Sequence, residues 1–534
     1  MEINDSLAFS LGAGHEIEPV SQSEFLLDPQ PDVALERIKS PEGDAIYASG
    51  DALYNGAFFG RDSLEVIDDL LDKEPELCAK LLIKNASLQG FCFDRKREEE
   101  PGRIAHEHRV APTDDDDEAY KLIFAELSER WGSYNGDLTY FGSVDATPKF
   151  VQMLCAYANR YGNGILDVRV ERRNGEVVTM NEALGSAVGW LQSKLRTSSS
   201  GLLEFKTVNP AGIENQVWKD SREFYVHEDG TLANHARPVA SIEVQGLVYD
   251  ALMDASELRP DMALQLKQEA TNIRDRTLDL LWLEDRNYFA LGLDHDPSTD
   301  NIRQIKTTTA NPASLLETRF FDNLPDQERE KYISAIANKI MGSDFLTDAG
   351  IRSRALSAQG VSEYWDYHGS HVAWPMETKR IAKGLRRQGF SRLAQQLYGR
   401  LLNGVTRYGS YTEFIYVDDD GRMLTDILYA RTHESMMVVE STNKPESLQA
   451  WTITAVIHAL SDLYGNKFPK YPRQTLWQFN LEWAILGKMP IIGHIKRRDD
   501  LDQLYPEQKA VLSVPKSVNH TNFYNEDVRK AMAV

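Results

Sequence analysis

Positive charge is in short supply in this chain. Against 81 Asp and Glu stand 59 Lys and Arg, leaving a net charge of −22 over 534 residues. A surface of that sign repels phosphate backbones and anionic lipid, so neither nucleic acid nor a membrane is expected as a partner. A neutral ligand, a sugar among them, is compatible with it. Cysteine is scarce as well. Cys78, Cys92 and Cys155 fit no paired framework and no metal spacing, and read as small core residues in a reducing compartment. No apolar run approaches membrane-spanning length, and residues 1–15 have no basic region before an apolar one. The expectation is a soluble, cytoplasmic protein. Nucleotide and metal signatures are missing too. No G-x-G-x-x-G follows a strand pattern, G-x-x-x-x-G-K-[ST] and G-x-S-x-G do not occur, and His106-Glu107-His108 lacks the H-E-x-x-H spacing. Neither a metal nor an organic cofactor is expected.

What is present is ordinary globular material, 42% hydrophobic and 10% aromatic, enough for a sizeable core. Amphipathic periodicity predicts helices over 63–73, 75–89, 118–130, 145–161, 181–195, 238–256, 261–283, 312–321, 327–341, 371–387, 390–404 and 447–464. Helices with few strands and no fixed-length repeat point to an all-α fold, a closed two-layered ring of helical hairpins. Two hairpins interrupt it: Leu166–Val178 around Asn174-Gly175, and Phe414–Thr425 around an acidic D-D-D-G turn. That turn lacks the register of a calcium loop and reads as solvated. The run Asp114–Glu118 reads as a water-facing helix start. The expected organisation is an N-terminal segment over 1–45, a helical domain over 46–466, and a tail over 467–534. The tail, with Tyr471, Trp477, Phe479 and Trp483 ahead of Lys496–Arg498, reads as a strap or a contact between copies of the chain.

The sequence reads as organised around residues 215–249. There Trp218, Lys219 and Asp220 stand side by side on a polar loop, and Ile242, Gly246 and Tyr249 follow at helical spacing, with Pro238 expected in the first helical turn. A carboxyl against an indole suits an acid that stays protonated near neutral pH, because burial disfavours its charged form. Other loops repeat the pairing of acids with rings: F-F-G-R-D-S at 58–63, E-E-P-G-R-I-A-H-E-H-R at 99–109, Y-F-G-S-V-D-A-T-P at 140–148, E-Y-W-D-Y-H-G-S-H-V-A-W-P-M-E-T at 363–378 and Y-T-E-F at 411–414. In a helical ring such loops gather at one mouth. Flat rings with carboxylates suit a pyranose, which offers C–H faces and vicinal hydroxyls.

Seven blocks in order, from G-R-D-S through E-E-P-G-R-I-x-H-E-x-R, Y-F-G-S-V-D-A-T-P, N-Q-V-W-K-D-S, P-V-A-x-I-E-V-Q-G and Y-H-G-S-H-V-A-W-P to Q-A-W at 449–451, cover about three-quarters of the chain. In wording and order they resemble the glycogen-debranching-type amylo-α-1,6-glucosidases and related α-glycosidases on an (α/α)6 toroid, the glucosylglycerate and mannosylglycerate hydrolases included. The resemblance implies an inverting, exo-acting α-glucosidase without a cofactor. It implies Asp220 as general acid and Glu413 as general base, with Arg61 and Asp62 holding sugar hydroxyls. Tyr140, Asp145, Trp218, Lys219, Glu243, His368 and Trp374 would line the subsite. Inversion requires room for a water, hence carboxyls about 6.5–9.5 Å apart.

The sequence departs from the family in places. Thr412 stands where the family has a proline before the base, which leaves Glu377 and Glu363 as alternatives to Glu413. The first block begins near Tyr54, without the large N-terminal domain of polymer-cleaving members. That favours small glycosides, glycosylglycerates among them, over branched glucan. Lys219, Arg222 and Arg109 are the cations considered for an anionic aglycone. A phosphorolytic or epimerising sugar enzyme and a non-catalytic carbohydrate-binding protein are the competing readings. The first needs a cationic phosphate seat where Glu413 puts an acid.

Overall fold

Helices start where the sequence supplies a start. In the computed structural model, which describes residues 27–50, 54–362, 366–424, 444–465 and 474–489, the helices are α1 (Pro31–Glu36), α2 (Gly60–Leu70), α3 (Pro75–Ser87), α4 (Glu118–Trp131), α5 (Ala146–Tyr161), α6 (Met180–Thr197), α7 (Ile242–Leu258), α8 (Ala263–Leu281), α9 (Asp326–Ile340), α10 (Pro375–Arg387), α11 (Ser391–Tyr408), α12 (Ala450–Tyr464) and α13 (Leu476–Leu486). Pro75 and Pro375 open α3 and α10, where a missing N–H costs nothing. Thr179 and Glu182 close a capping box on α6, and the Asp117 carboxylate accepts from the Ala119 N–H to cap α4.

Contacts between these elements run in a cycle. α2 packs on α5, α5 on α7, α7 on a 3-10 turn (Asn311–Glu317), that turn on α10, α10 on α12, and α12 on α2 again. Each member carries a second helix: α3 on α2, α6 on α5, α8 on α7, α9 on the 3-10 turn, α11 on α10 and α1 on α12. Burial separates the two layers. α8 buries one stripe, Leu266, Ala270, Ile273, Thr277 and Leu281, the spacing of a helix with one wet face. α2 is buried on nearly every side, Asp62, Glu65 and Asp69 included, and Asp68 is half-buried.

Those acids meet cations inside the cycle. Lys379 of α10 reaches Asp69 at 2.9 Å and Glu65 at 3.3 Å, and Lys149 of α5 reaches Glu65 at 3.3 Å and Asp68 at 2.9 Å. Lys383 also holds Asp68, Arg380 holds Glu317, and the Thr454 hydroxyl donates to Asp69. Desolvated charges persist only when paired. Lys379→Met therefore leaves two buried carboxylates short of a partner and is expected to cost about 3–5 kcal/mol. Urea unfolding measures this, and a loss below about 1 kcal/mol would place the pair in water.

Several expected boundaries move. Residues 312–321 form no α-helix but the 3-10 turn. It is pinched by Gly384 of α10, where a Cβ would stand 2.8 Å from the Glu317 nitrogen and from Leu316 Cβ. Only a residue without a side chain allows that approach. Pro238 precedes a strand, Val239–Ser241, and α7 begins after it. That strand pairs with Gly292–His295 and Glu204–Phe205, so sheet pairing overrides the helical spacing. Residues 371–374 likewise precede α10, and Val372–Ala373 pairs with Ile415–Tyr416. The expected 414–425 hairpin forms around Asp418–Arg422, with Val417 bridged to Met423 and the Leu424 N–H donating to the Tyr416 carbonyl at 2.9 Å; Thr425 lies outside the described residues. The 166–178 hairpin forms as Arg169–Glu171 against Val177–Thr179, with Gly175 at φ +81°. Cys78 and Cys155 are buried, whereas Cys92 is only half-buried. Of the tail, α13 packs on α11 and α9; Tyr471 and Lys496–Arg498 lie outside the described residues.

Candidate active site

The N-terminal ends of the inner helices carry acids and rings. Arg61 and Asp62 open α2, Asp145 precedes α5, Glu243 opens α7, Trp374 precedes α10, and Trp451 opens α12. Helix N-termini favour carboxylates because unsatisfied N–H groups point at them. Strand pairing delivers the loops between. Phe58–Phe59 pairs with His108 and Glu107, and Glu107–Arg109 pairs with Tyr140–Leu138. The Val372–Ala373 pairing sets the 366–374 loop against Glu413, whose own N–H donates to the Glu446 carbonyl at 2.9 Å.

Rings form the floor. Trp218 meets His368, Trp374 and Trp451 edge-on, with centroids at 5.4, 5.5 and 6.4 Å. His368 stacks on Trp374, and Tyr367 touches Trp374 and Phe414. Burial holds the His368 imidazole well below its ordinary pKa, with Lys219, Arg354 and Arg61 adding to the effect. The ring is therefore neutral, with Nδ1 2.9 Å from the Ser221 hydroxyl.

Arg61 grips Asp145 with two bonds, Nε to Oδ2 at 2.9 Å and Nη2 to Oδ1 at 3.2 Å. Its charge also falls on Asp220. Burial raises the Asp220 carboxyl to about 6, with Arg61 opposing the shift and Asp145 reinforcing it. Asp62 is raised to about 7 by burial, against the pull of Arg61 and with help from Asp220 and Glu65. Glu413 is raised to about 8 by burial, although the Tyr367 hydroxyl and the Glu446 N–H both donate to it; Glu446 and Asp62 push the same way as burial. Asp220 and Glu413 lie far apart in sequence, yet their charges act on the same two phenols. After burial, the charges that raise the Tyr54 phenol are Glu413 and then Asp220, and both also raise Tyr367. Among the described residues no hydrogen bond joins the two carboxyls to each other.

The other expected residues divide into groups. Trp218 and Glu243 are joined, Nε1 to Oε2 at 2.8 Å. Burial raises Glu243 to about 7, and its Oε1 is buried without a hydrogen-bond partner among the described residues. Lys219 is fully buried against Glu377 and Asn311. Tyr140 sits apart, its ring stacked on Trp131 and its hydroxyl accepting from the Ile213 N–H at 2.9 Å. Of the cations considered for an anionic aglycone, Arg109 is buried on Glu107 and Lys219 on Glu377; Arg222 is exposed, 3.3 Å from Glu214. Glu377 spends one oxygen on Lys219 and the other on the Ser353 hydroxyl. Glu363 lies outside the described residues. Sequence reasoning missed Tyr54, Tyr367 and Asn311. Tyr367 stood inside a quoted block, marked only by its density of rings, and nothing local marked Asn311. Among the described residues no group of three or more His, Cys, Asp or Glu side chains is placed to hold a metal ion, and no helix is long and apolar enough to cross a membrane.

No protein-family model matches the sequence, and no curated protein matches it. Solved structures do match in fold. The GH63 mannosylglycerate hydrolase from Thermus thermophilus in complex with glucose superposes with a TM-score of 0.52 at 14% identity, over 83% of this chain and 100% of that one. The same enzyme in complex with Tris and D-glycerate gives a TM-score of 0.51 at 13% identity, over 80% of this chain and 98% of that one. At such identities the likeness is one of fold.

Proposed function

We propose that this chain is a glycoside hydrolase on an (α/α)6 toroid, an inverting, exo-acting α-glycosidase with Asp220 as general acid and Glu413 as general base. What supports the reading is that Glu413, held by the Tyr367 hydroxyl, and Asp220, two residues after Trp218 of the same ring cluster, are both raised carboxyls whose charges act on Tyr54 and Tyr367. A pyranose seated on the Trp218, Trp374 and Trp451 floor presents its leaving oxygen to Asp220. As the C1–O bond breaks, that oxygen takes the Asp220 proton. Water adds to C1 from the opposite face and yields its proton to Glu413. Arg61 and Asp62 hold hydroxyls of the same sugar. The preferred substrates are small α-glucosides. Glycosylglycerates are the second choice, prompted by the exposed Arg222 two residues after the acid and by the mannosylglycerate hydrolase whose fold this chain shares.

A hydrolysis panel of maltose, isomaltose, branched glucan, sucrose, trehalose, glucosylglycerate and mannosylglycerate, followed by proton NMR, tests the reading. Early product is expected as the β-anomer; α-product removes inversion, and no cleavage of any member removes the activity.

The two carboxyls also set the pH profile. The one that ionises first, Asp220 near 6, is the proposed acid, and Glu413 near 8 is the proposed base. kcat/KM should rise with pH through about 6 as the doubly protonated pair loses a proton, and fall above about 8 as the second leaves. In between, the working arrangement, Asp220 protonated and Glu413 ionised, is the minority form of the singly protonated pair. A profile flat from pH 5 to 9 would sever these groups from the reaction.

A further inference from the structure

Lys219 is a buried cation that the proposed chemistry does not use. Its side chain is 0% exposed. The ammonium donates to Glu377 and, at 2.9 Å, to the Asn311 Oδ1, and lies 4.6 Å from the Trp218 ring centroid and 5.2 Å from that of Phe224. Its partners are themselves anchored. Glu377 accepts from the Ser353 hydroxyl at 2.8 Å, and Asn311 donates through Nδ2 to Glu243 Oε2 at 3.0 Å, the oxygen that also receives the Trp218 indole N–H. Two consecutive residues are thus fastened to α7, the 3-10 turn and α10. The next residue is Asp220, which keeps part of its surface accessible and whose carboxyl receives no side-chain hydrogen bond among the described residues.

We propose that Lys219, clamped by Glu377 and Asn311, is a positioning residue that fixes the Asp220 carboxyl for proton donation. Rigid placement matters because a displaced acid loses its in-line approach to the leaving oxygen. The clamp sets where the acid stands. The charges that set its acidity are Arg61 and Asp145, while the field of Lys219 falls on Glu243 and His368. Glu377, with both oxygens engaged, has its place in this clamp.

The proposal rests on the reading of Asp220 as general acid, and leaving-group dependence separates the two. Fluoride departs without a donated proton, whereas methoxide does not. Lys219→Met is expected to lower kcat about a hundredfold on a methyl α-glycoside, with KM within about threefold, and less than about fivefold on the α-glycosyl fluoride of the same sugar, glucose or mannose. The limb of kcat/KM near pH 6 should stay in place, because the acidity of Asp220 is set elsewhere. Asn311→Ala breaks the clamp while sparing the ion pair, and serves where Lys219→Met does not fold. Its loss should be smaller but show the same preference for the fluoride. Equal losses on both substrates, no loss in Asn311→Ala, or a shifted acid limb would overturn the proposal. If Asp220→Asn itself shows no preference for the fluoride, or the wild type cleaves no glycoside, the reading of the acid falls and the clamp with it.

Discussion

Asp220→Asn should lower kcat on unactivated glycosides by at least about a hundredfold while leaving the urea midpoint close to that of the wild type. The amide has the shape of the carboxyl but no acidic proton, so the leaving oxygen departs as an alkoxide. Folding should be spared because no described side chain relies on the Asp220 carboxyl as a hydrogen-bond partner. Removing it even relieves the buried Asp62, whose carboxyl is raised in part by the Asp220 charge. The signature lies in the pH dependence. With Asp220 gone, residual activity should rise with pH through the Glu413 ionisation near 8 and not fall again, since no acid is left to lose. Near-full activity in this variant would remove Asp220 from the role.

The second large effect belongs to Glu413→Gln, expected to lower kcat about a thousandfold, within the range for a lost general base. The carboxyl enters the site with the Tyr367 hydroxyl and the Glu446 N–H donating to it, and both favour its ionised form. A glutamine keeps the oxygen but cannot take a proton from water. Azide needs no deprotonation. It should restore turnover in a Glu413→Ala variant, where truncation makes room, and give a β-glycosyl azide from an α-glycoside. The Gln variant should lose activity as pH rises through about 6, where Asp220 ionises. An Ala variant unresponsive to azide, with Glu377→Ala or Glu363→Ala responding in its place, would move the base elsewhere.

The helices were legible where one face repeats every three or four residues, as in α8 with Leu266, Ala270, Ile273, Thr277 and Leu281. Inner helices gave a blurred signal. Their polar sides are also buried, as Asp62, Glu65 and Asp69 are on α2, and a buried acid looks in sequence like a solvated one. Pairings that depend on distant chain were not legible. Pro238 suggested a helix start, and the strand at Val239–Ser241 forms because Glu204–Phe205 and Gly292–His295 flank it on either side. Within the candidate site, blocks rich in acids and rings marked the loops. The clamp on Lys219 did not show, because Asn311 and Glu377 lie 92 and 158 residues away from it. Which cation faces solvent was equally hidden: Lys219 and Arg109 are enclosed and Arg222 is not.

The pairs that Lys379 and Lys149 make with Glu65, Asp68 and Asp69 bear on how the molecule meets heat. Ion hydration weakens on warming, so the penalty for holding those charges dry shrinks as temperature climbs, while the gain from sequestering hydrocarbon levels off. Enclosed pairs are also shielded from dissolved electrolyte. These pairs between helices should keep their grip in hot surroundings, and in brine, where ion pairs on an outer face would slacken.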